Sequence, residues 1–125
     1  MGYRSEVRIA MTREAYDEFL GIMDSKNGSV FSEYPLIGSD IKPGYFEEEG
    51  NSVVFGWDSI KWYDGLFRDV TNVSDALAEI SANGYPYEFC RVGESWDDIE
   101  LNCVNDNEEL ELHVSPSTAI DIYGN

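Results

Sequence analysis

The apolar residues of this chain switch repeatedly between a period of two and a period near 3.6, and that switching dictates the order of strands and helices. Over residues 3–11, Tyr3, Ser5, Val7, Ile9 and Met11 fall on one side and Arg4, Glu6, Arg8 and Ala10 on the other, the pattern of a half-buried strand. Thr12 offers an N-cap, and Ala15, Phe19, Ile22 and Met23 then recur at helical spacing, which predicts a helix ending near Asp24. Pro35, Gly38, Pro43 and Gly44 interrupt the next apolar residues, so residues 29–44 read as a long loop with at most one short strand. Tyr45–Glu49 and residues 52–62 flank Gly50-Asn51, a pair able to take positive φ, and so form a β-hairpin. Val53, Phe55 and Trp57 share a face while Ile60 and Trp62 have the opposite parity, which requires a bulge near Asp58 or Ser59.

A second helix follows, with Asn72 as N-cap, Asp75 three positions on, and a stripe of Val73, Ala76, Leu77 and Ile80 ending at Asn83-Gly84. Three alternating runs complete the pattern at residues 87–93, 98–104 and 109–114, with Asn105-Asp106-Asn107 turning between the last two. The expected fold is a single α+β domain over residues 1–125, in two layers. An antiparallel sheet of about five to six strands carries both helices on one face, and its other face meets water or a partner.

Composition decides whether such a domain can form. With 42% hydrophobic and 14% aromatic residues in 125, a core is affordable despite a net charge of −17, and the periodicity excludes simple disorder. The charge is also unevenly placed. After Arg91 there is no Lys or Arg, while Glu94, Asp97, Asp98, Glu100, Asp106, Glu108, Glu109, Glu111 and Asp121 follow. Such a surface repels nucleic acid and anionic membranes and attracts basic protein surfaces, so the expected partner is a basic protein. No apolar run approaches the roughly 20 residues of a membrane span, and the start lacks the apolar core of a signal peptide. The expected compartment is the cytoplasm, where Cys90 and Cys103 read as small buried hydrophobes. Gly2 does not make a myristoylation site, because Glu6 stands where that pattern takes Ser or Thr.

Little in the chain points to catalysis. There is no G-x-S-x-G, HExxH, CxxC or phosphate-cradling glycine loop, so neither catalytic residues nor a cofactor are expected. Asp106, Glu108 and Glu109 lack the spacing and central glycine of a calcium loop, and no metal site is expected. His113 falls by alternation on the acidic side of its run, as a surface residue beside carboxylates. Trp57, Trp62 and Tyr63 surround one cation, Lys61; Trp57 and Trp62 read as core or sheet-packing residues, with an exposed interface anchor as the alternative. Trp96, between Glu94 and Asp97 in an expected loop, reads as an exposed anchor for a partner.

The acids have a pattern of their own. Alternation buries the apolar residues of the last runs and turns Asp98, Glu100, Glu109 and Glu111 to the opposite face. Alternate strand residues lie about 6.6 Å apart, close to the phosphate spacing along one nucleic-acid strand, so such an array can imitate a nucleic-acid backbone. The competing reading is an ordinary solvated face, kept acidic for solubility and against edge pairing.

Three stretches carry a resemblance: Gly2-Tyr3-Arg4-Ser5-Glu6-Val7, Ile60-Lys61-Trp62-Tyr63, and Phe89-Cys90-Arg91-Val92-Gly93-Glu94 with Asp97-Asp98-Ile99-Glu100. Together they resemble short acidic proteins carried by bacteriophages and prophages, a group without catalytic residues to transfer. The resemblance implies an inhibitor that occupies the nucleic-acid channel of a host defence or transcription protein, as anti-CRISPR proteins and restriction inhibitors do, although the chain carries no motif of a named anti-CRISPR family. With the acid array and Trp96 as an exposed anchor, the expected interface is Glu94, Trp96, Asp97, Asp98, Glu100, Glu109 and Glu111. Two alternatives remain: a phage accessory protein that self-associates through its aromatic hairpin or a sheet edge, and a small hydrolytic or ligand-sequestering protein, of the kind a signal-nucleotide sponge would be, in which facing carboxylates and Tyr residues line a pocket and, for an anionic ligand, Arg4, Arg8, Lys61 and Arg91 have to converge.

Overall fold

The computed structural model describes residues 4–28, 34–63, 67–95, 97–105, 110–116 and 120–124. In order these form β1 (Ser5–Thr12), α1 (Arg13–Asn27), β2 (Tyr45–Glu49), β3 (Ser52–Ile60), α2 (Arg68–Ala82), β4 (Tyr87–Val92), β5 (Ile99–Val104), β6 (Leu112–Pro116) and β7 (Ile120–Gly124). The architecture is α+β, as the periodicity predicts. Five antiparallel strands form a sheet in the order β2-β3-β1-β4-β5, and β6 and β7 form a separate hairpin.

β1 is central, and its two faces build two cores. Val7, Ile9 and Met11 join Val53, Phe55 and Phe89 from the neighbouring strands against Ala15, Phe19 and Met23 of α1 and Val73, Leu77 and Ile80 of α2. On the other face Ala10, Val54 and Cys90 pack against Leu110, Leu112 and Val114 of the hairpin segment. The hairpin therefore covers part of the face expected to meet water or a partner. β1 is accordingly buried on both sides rather than half-buried, and even Arg8 is only 6% exposed. Its guanidinium donates to Asp58 at 2.6 Å and lies 4.0 Å from the centre of the Tyr45 ring, so the buried cation is paired on one side and stacked on the other.

The bulge demanded by the change of parity is present. Ser5 pairs with Ile60 and Val7 with Trp57, leaving Asp58 and Ser59 opposite Glu6, and Ser59 takes φ 55°. The β2–β3 turn is also as expected, with Gly50 at φ 58°. Between α1 and β2 the described residues hold one isolated bridge, Gly38 with Ile41.

Both helices differ from expectation at one end. Thr12 caps α1 by accepting the Ala15 N–H at 3.2 Å, but the helix continues past Asp24 to Asn27. Lys26 in its last turn meets Glu79 of α2 at 2.9 Å, a contact made only in the folded protein. α2 starts at Arg68, a full turn before Asn72, so Asn72 is a buried interior residue and not the N-cap. The apolar stripe includes Val70, and burying it is worth more than an exposed cap at Asn72. The expected ending at Asn83-Gly84 is found, with Gly84 at φ 93°.

The largest departures fall in the C-terminal third. The run expected over 109–114 is β6 and starts at Leu112, while β7, which no expectation contained, returns along it in register from Leu112 opposite Gly124 to Pro116 opposite Ile120. His113 is 6% exposed rather than on the surface, with Nδ1 2.6 Å from Glu88 and its ring stacked on Tyr123. Cys103 is exposed, and so are Ile99 and Leu101, which alternation had placed in a core. A two-stranded hairpin is too narrow to reach across a five-stranded sheet; it packs mainly over β4, β1 and β3, and β5 lies at its margin as an edge strand.

Candidate protein-binding surface

β5 is an edge strand, and its two sides differ. Cross-strand pairs share a face, so Ile99 and Leu101, opposite Val92 and Cys90, belong to the side on which the hairpin sits. They are 44% and 45% exposed, a short apolar row at an open edge. On the helix side Glu100 stands opposite Arg91, whose guanidinium donates to Asp98 at 2.8 and 3.1 Å and to Glu100 at 3.2 Å. These bonds hold the Arg91 pKa above its ordinary value, the Asp98 bond contributing most.

The same contacts shape the approach to the strand. Gly93 N–H donates to the Asp98 carbonyl at 2.8 Å, and Asp98 N–H donates to the Ser95 carbonyl at 2.9 Å, closing a tight connection between β4 and β5. Glu94 and Asp97 project from that connection and are exposed. Glu94 also accepts the Arg4 backbone N–H, which ties the start of β1 to this corner. The open edge thus carries Glu94 and Asp97 at one end, Asp98 and Glu100 on its helix side, and the row of Ile99 and Leu101 on its hairpin side.

Not every residue expected at the interface is in this group. Glu111 lies across the sheet, where its N–H donates to Ser52 Oγ at 2.7 Å and its carboxylate accepts the Asn51 N–H at 3.3 Å. Trp96 and Glu109 lie outside the described residues, as do Asp106 and Glu108. Asp98, Glu100 and Glu111 consequently do not form one continuous row, and two of them already bond Arg91. Sequence reasoning also passed over the opposite edge, where Glu47, Glu48 and Glu49 of β2 are exposed and Glu48 pairs with Arg13.

Two acids of the main sheet are structural. Glu88 is 2% exposed and accepts the Val114 N–H at 3.0 Å besides contacting His113, and Glu6 accepts the Ile120 N–H at 2.6 Å. Carboxylates of the sheet therefore hold the hairpin down. The four cations of the sequestering alternative do not all converge, since Arg8 and Arg91 point to opposite faces of the sheet and each is engaged by carboxylates. Among the described residues no group of three His, Cys, Asp or Glu side chains is placed to hold a metal, and no helix is long and apolar enough to cross a membrane. No protein-family model, curated protein or solved structure matches the chain.

Proposed function

We propose that this chain is a non-enzymatic binding protein whose acid-rimmed β5 edge docks on a basic, nucleic-acid-binding surface of a host protein and excludes the nucleic acid from it. The observation that carries the reading is the open edge: Ile99 and Leu101 exposed in a row, with Glu94, Asp97 and Glu100 exposed around them. Apolar burial supplies residence time at such a surface, while the net charge of −17 draws a cationic partner into encounter. The resemblance to small acidic phage proteins gives the setting, an inhibitor of a host defence or transcription protein in the bacterial cytoplasm. The edge charge imitates a phosphate backbone in sign and crowding rather than as an extended regular array.

The test is a pull-down from bacterial lysate at low and at high salt, repeated with the variant Asp97→Lys/Leu101→Glu and with Glu47→Lys on the other edge. One nucleic-acid-binding protein should be recovered at low salt and be displaced by added DNA or RNA. The double variant should weaken its capture by about tenfold or more, with Glu47→Lys leaving it close to unchanged. Capture that survives the double variant removes the β5 edge from the interface. Dimers in light scattering that disappear with Leu101→Glu would assign the edge to self-association instead.

A further inference from the structure

A cleft of about 910 Å³ opens between the bulged end of β3, the first turn of α2 and the segment at Tyr34 to Leu36. Its walls are fixed by specific bonds. Trp57 Nε1 donates to the Leu36 carbonyl at 3.2 Å, and Tyr34 N–H donates to Asp69 of α2 at 2.8 Å. Arg4 reaches across to the bulge, donating to the Ser59 carbonyl at 2.7 Å.

The charge of this cleft is out of character for the chain. Of eight Lys and Arg residues, Arg8, Arg13, Lys26 and Arg91 are paired with carboxylates. Among the described residues the remaining four are Arg4, Lys42, Lys61 and Arg68, and all but Lys42 line this one cleft. Asp58 and Asp69 line it too; Asp58 is paired with Arg8, and Asp69, which holds the Tyr34 backbone, keeps its negative charge, so the lining carries a net excess of two cations. In a molecule carrying 25 acids, three cations left without a carboxylate around one concavity amount to a local site for negative charge.

Its second property is aromatic. Tyr34 is 78% exposed and Phe67 42% exposed, and both line the cleft. Phe67 is steadied by the Tyr63 ring, 5.5 Å away between centroids, which leaves its outer surface available. Exposed rings beside guanidinium and ammonium groups are the combination that holds a base by stacking and a phosphate by charge. The volume lies in the range of small-molecule sites.

We propose that this cleft binds a small anionic ligand carrying an aromatic ring, of the nucleotide class, with Arg4, Lys61 and Arg68 on the phosphate and Phe67 and Tyr34 against the base. The site is separate from the β5 edge, and it places a ligand-binding role on residues that a purely electrostatic inhibitor would have no use for.

Isothermal titration of the intact chain with each of the four ribonucleoside 5′-monophosphates, with inorganic phosphate and with adenosine tests it. At least one nucleotide should bind, and inorganic phosphate and adenosine, which lack one half of the recognition, should each bind about tenfold or more weakly than it. Lys61→Ala and Arg68→Ala should each weaken the nucleotide by about tenfold, and Phe67→Ala by a similar factor. Asp97→Lys/Leu101→Glu should leave nucleotide binding unchanged, so this site and the β5 interface can fail separately. Arg68 and Phe67 are exposed helix-start residues, and unchanged circular dichroism confirms that their variants fold. No heat with any nucleotide at millimolar concentration, or binding indifferent to Lys61→Ala and Arg68→Ala, overturns the proposal.

Discussion

Cys90 and Cys103 have the same chemistry and different surroundings. Cys90 is fully buried between the sheet and the hairpin, and burial, with the nearby Glu6 carboxylate, pushes its thiol up to about 11. Burial and Glu88 raise Cys103 as well, but its side chain stands on the open β5 edge. The reactive species is the thiolate, and a thiol with a pKa near 11 is ionised in only about one molecule in a thousand at pH 8. Under native conditions a disulfide-exchange reagent should label Cys103 at a rate that climbs with pH, and reach Cys90 only when the protein is unfolded. The same shifts fix the sign of an alkaline effect. Cys90 is raised from 9.0 to about 11 and Tyr16 from 10.0 to about 12, mainly by burial, so each contributes stability below its unfolded value and loses it as pH climbs through the folded one. The urea midpoint should therefore fall steadily between about pH 9 and pH 12. Equal labelling of both thiols in the native state would contradict the burial of Cys90.

At the scale of elements, the β6–β7 hairpin is the piece whose attachment is least conventional. It is held by Leu110, Leu112 and Val114 on Ala10, Val54 and Cys90, and by carboxylates of the sheet: Glu6 on the Ile120 N–H, Glu88 on the Val114 N–H and on His113. Removing Glu88 leaves a buried imidazole and a buried N–H without their acceptor. Glu88→Ala should cost about 3 kcal/mol, read from urea unfolding, and loss of the His113–Tyr123 stack should move the His113 ring resonances. Glu88→Gln keeps an acceptor and should cost less. The hairpin also shows where the sequence stops being legible. β1, the β2–β3 turn, the bulge at Asp58 and Ser59, and the C-terminal end of α2 and its stripe follow from periodicity and turn chemistry, which are local. The alternation of Ile120 and Ile122 is equally local, yet two apolar residues at the end of a chain carry too little pattern to announce β7. What covers which face is not local at all. Nothing in Ile99-Glu100-Leu101-Asn102-Cys103 distinguishes a strand under a hairpin from one at its margin, and so its apolar row was misplaced, and Glu100, expected on the open face, stands on the helix side beside Arg91. His113 was misread for the converse reason: a polar residue in an alternating run looks exposed until a buried Glu88, 25 positions earlier, is brought to it.

For the whole molecule, the governing quantity is charge. Twenty-five acids against eight cations leave −17, and both open edges of the main sheet carry exposed carboxylates, Glu47, Glu48 and Glu49 on β2 and Glu100 on β5. Like charge along an edge opposes pairing with a second copy, and it strains the folded state, because folding brings the charges closer than the unfolded chain holds them. Salt screens the repulsion behind both consequences. The Debye length shortens from about 30 Å at 0.01 M to about 8 Å at 0.15 M, so repulsion between exposed acids on different edges is screened. Stability should therefore rise with sodium chloride over this range, seen as an upward shift in melting temperature by calorimetry, while affinity for a basic partner falls over the same range. Reversing the signs separates net charge from specific ion pairing: Glu47→Lys/Glu49→Lys removes four units of negative charge from the β2 edge and should raise stability at low salt while flattening its salt dependence. A melting temperature that instead falls with added salt would mean that paired charges, not the excess of acids, dominate the electrostatics of the fold.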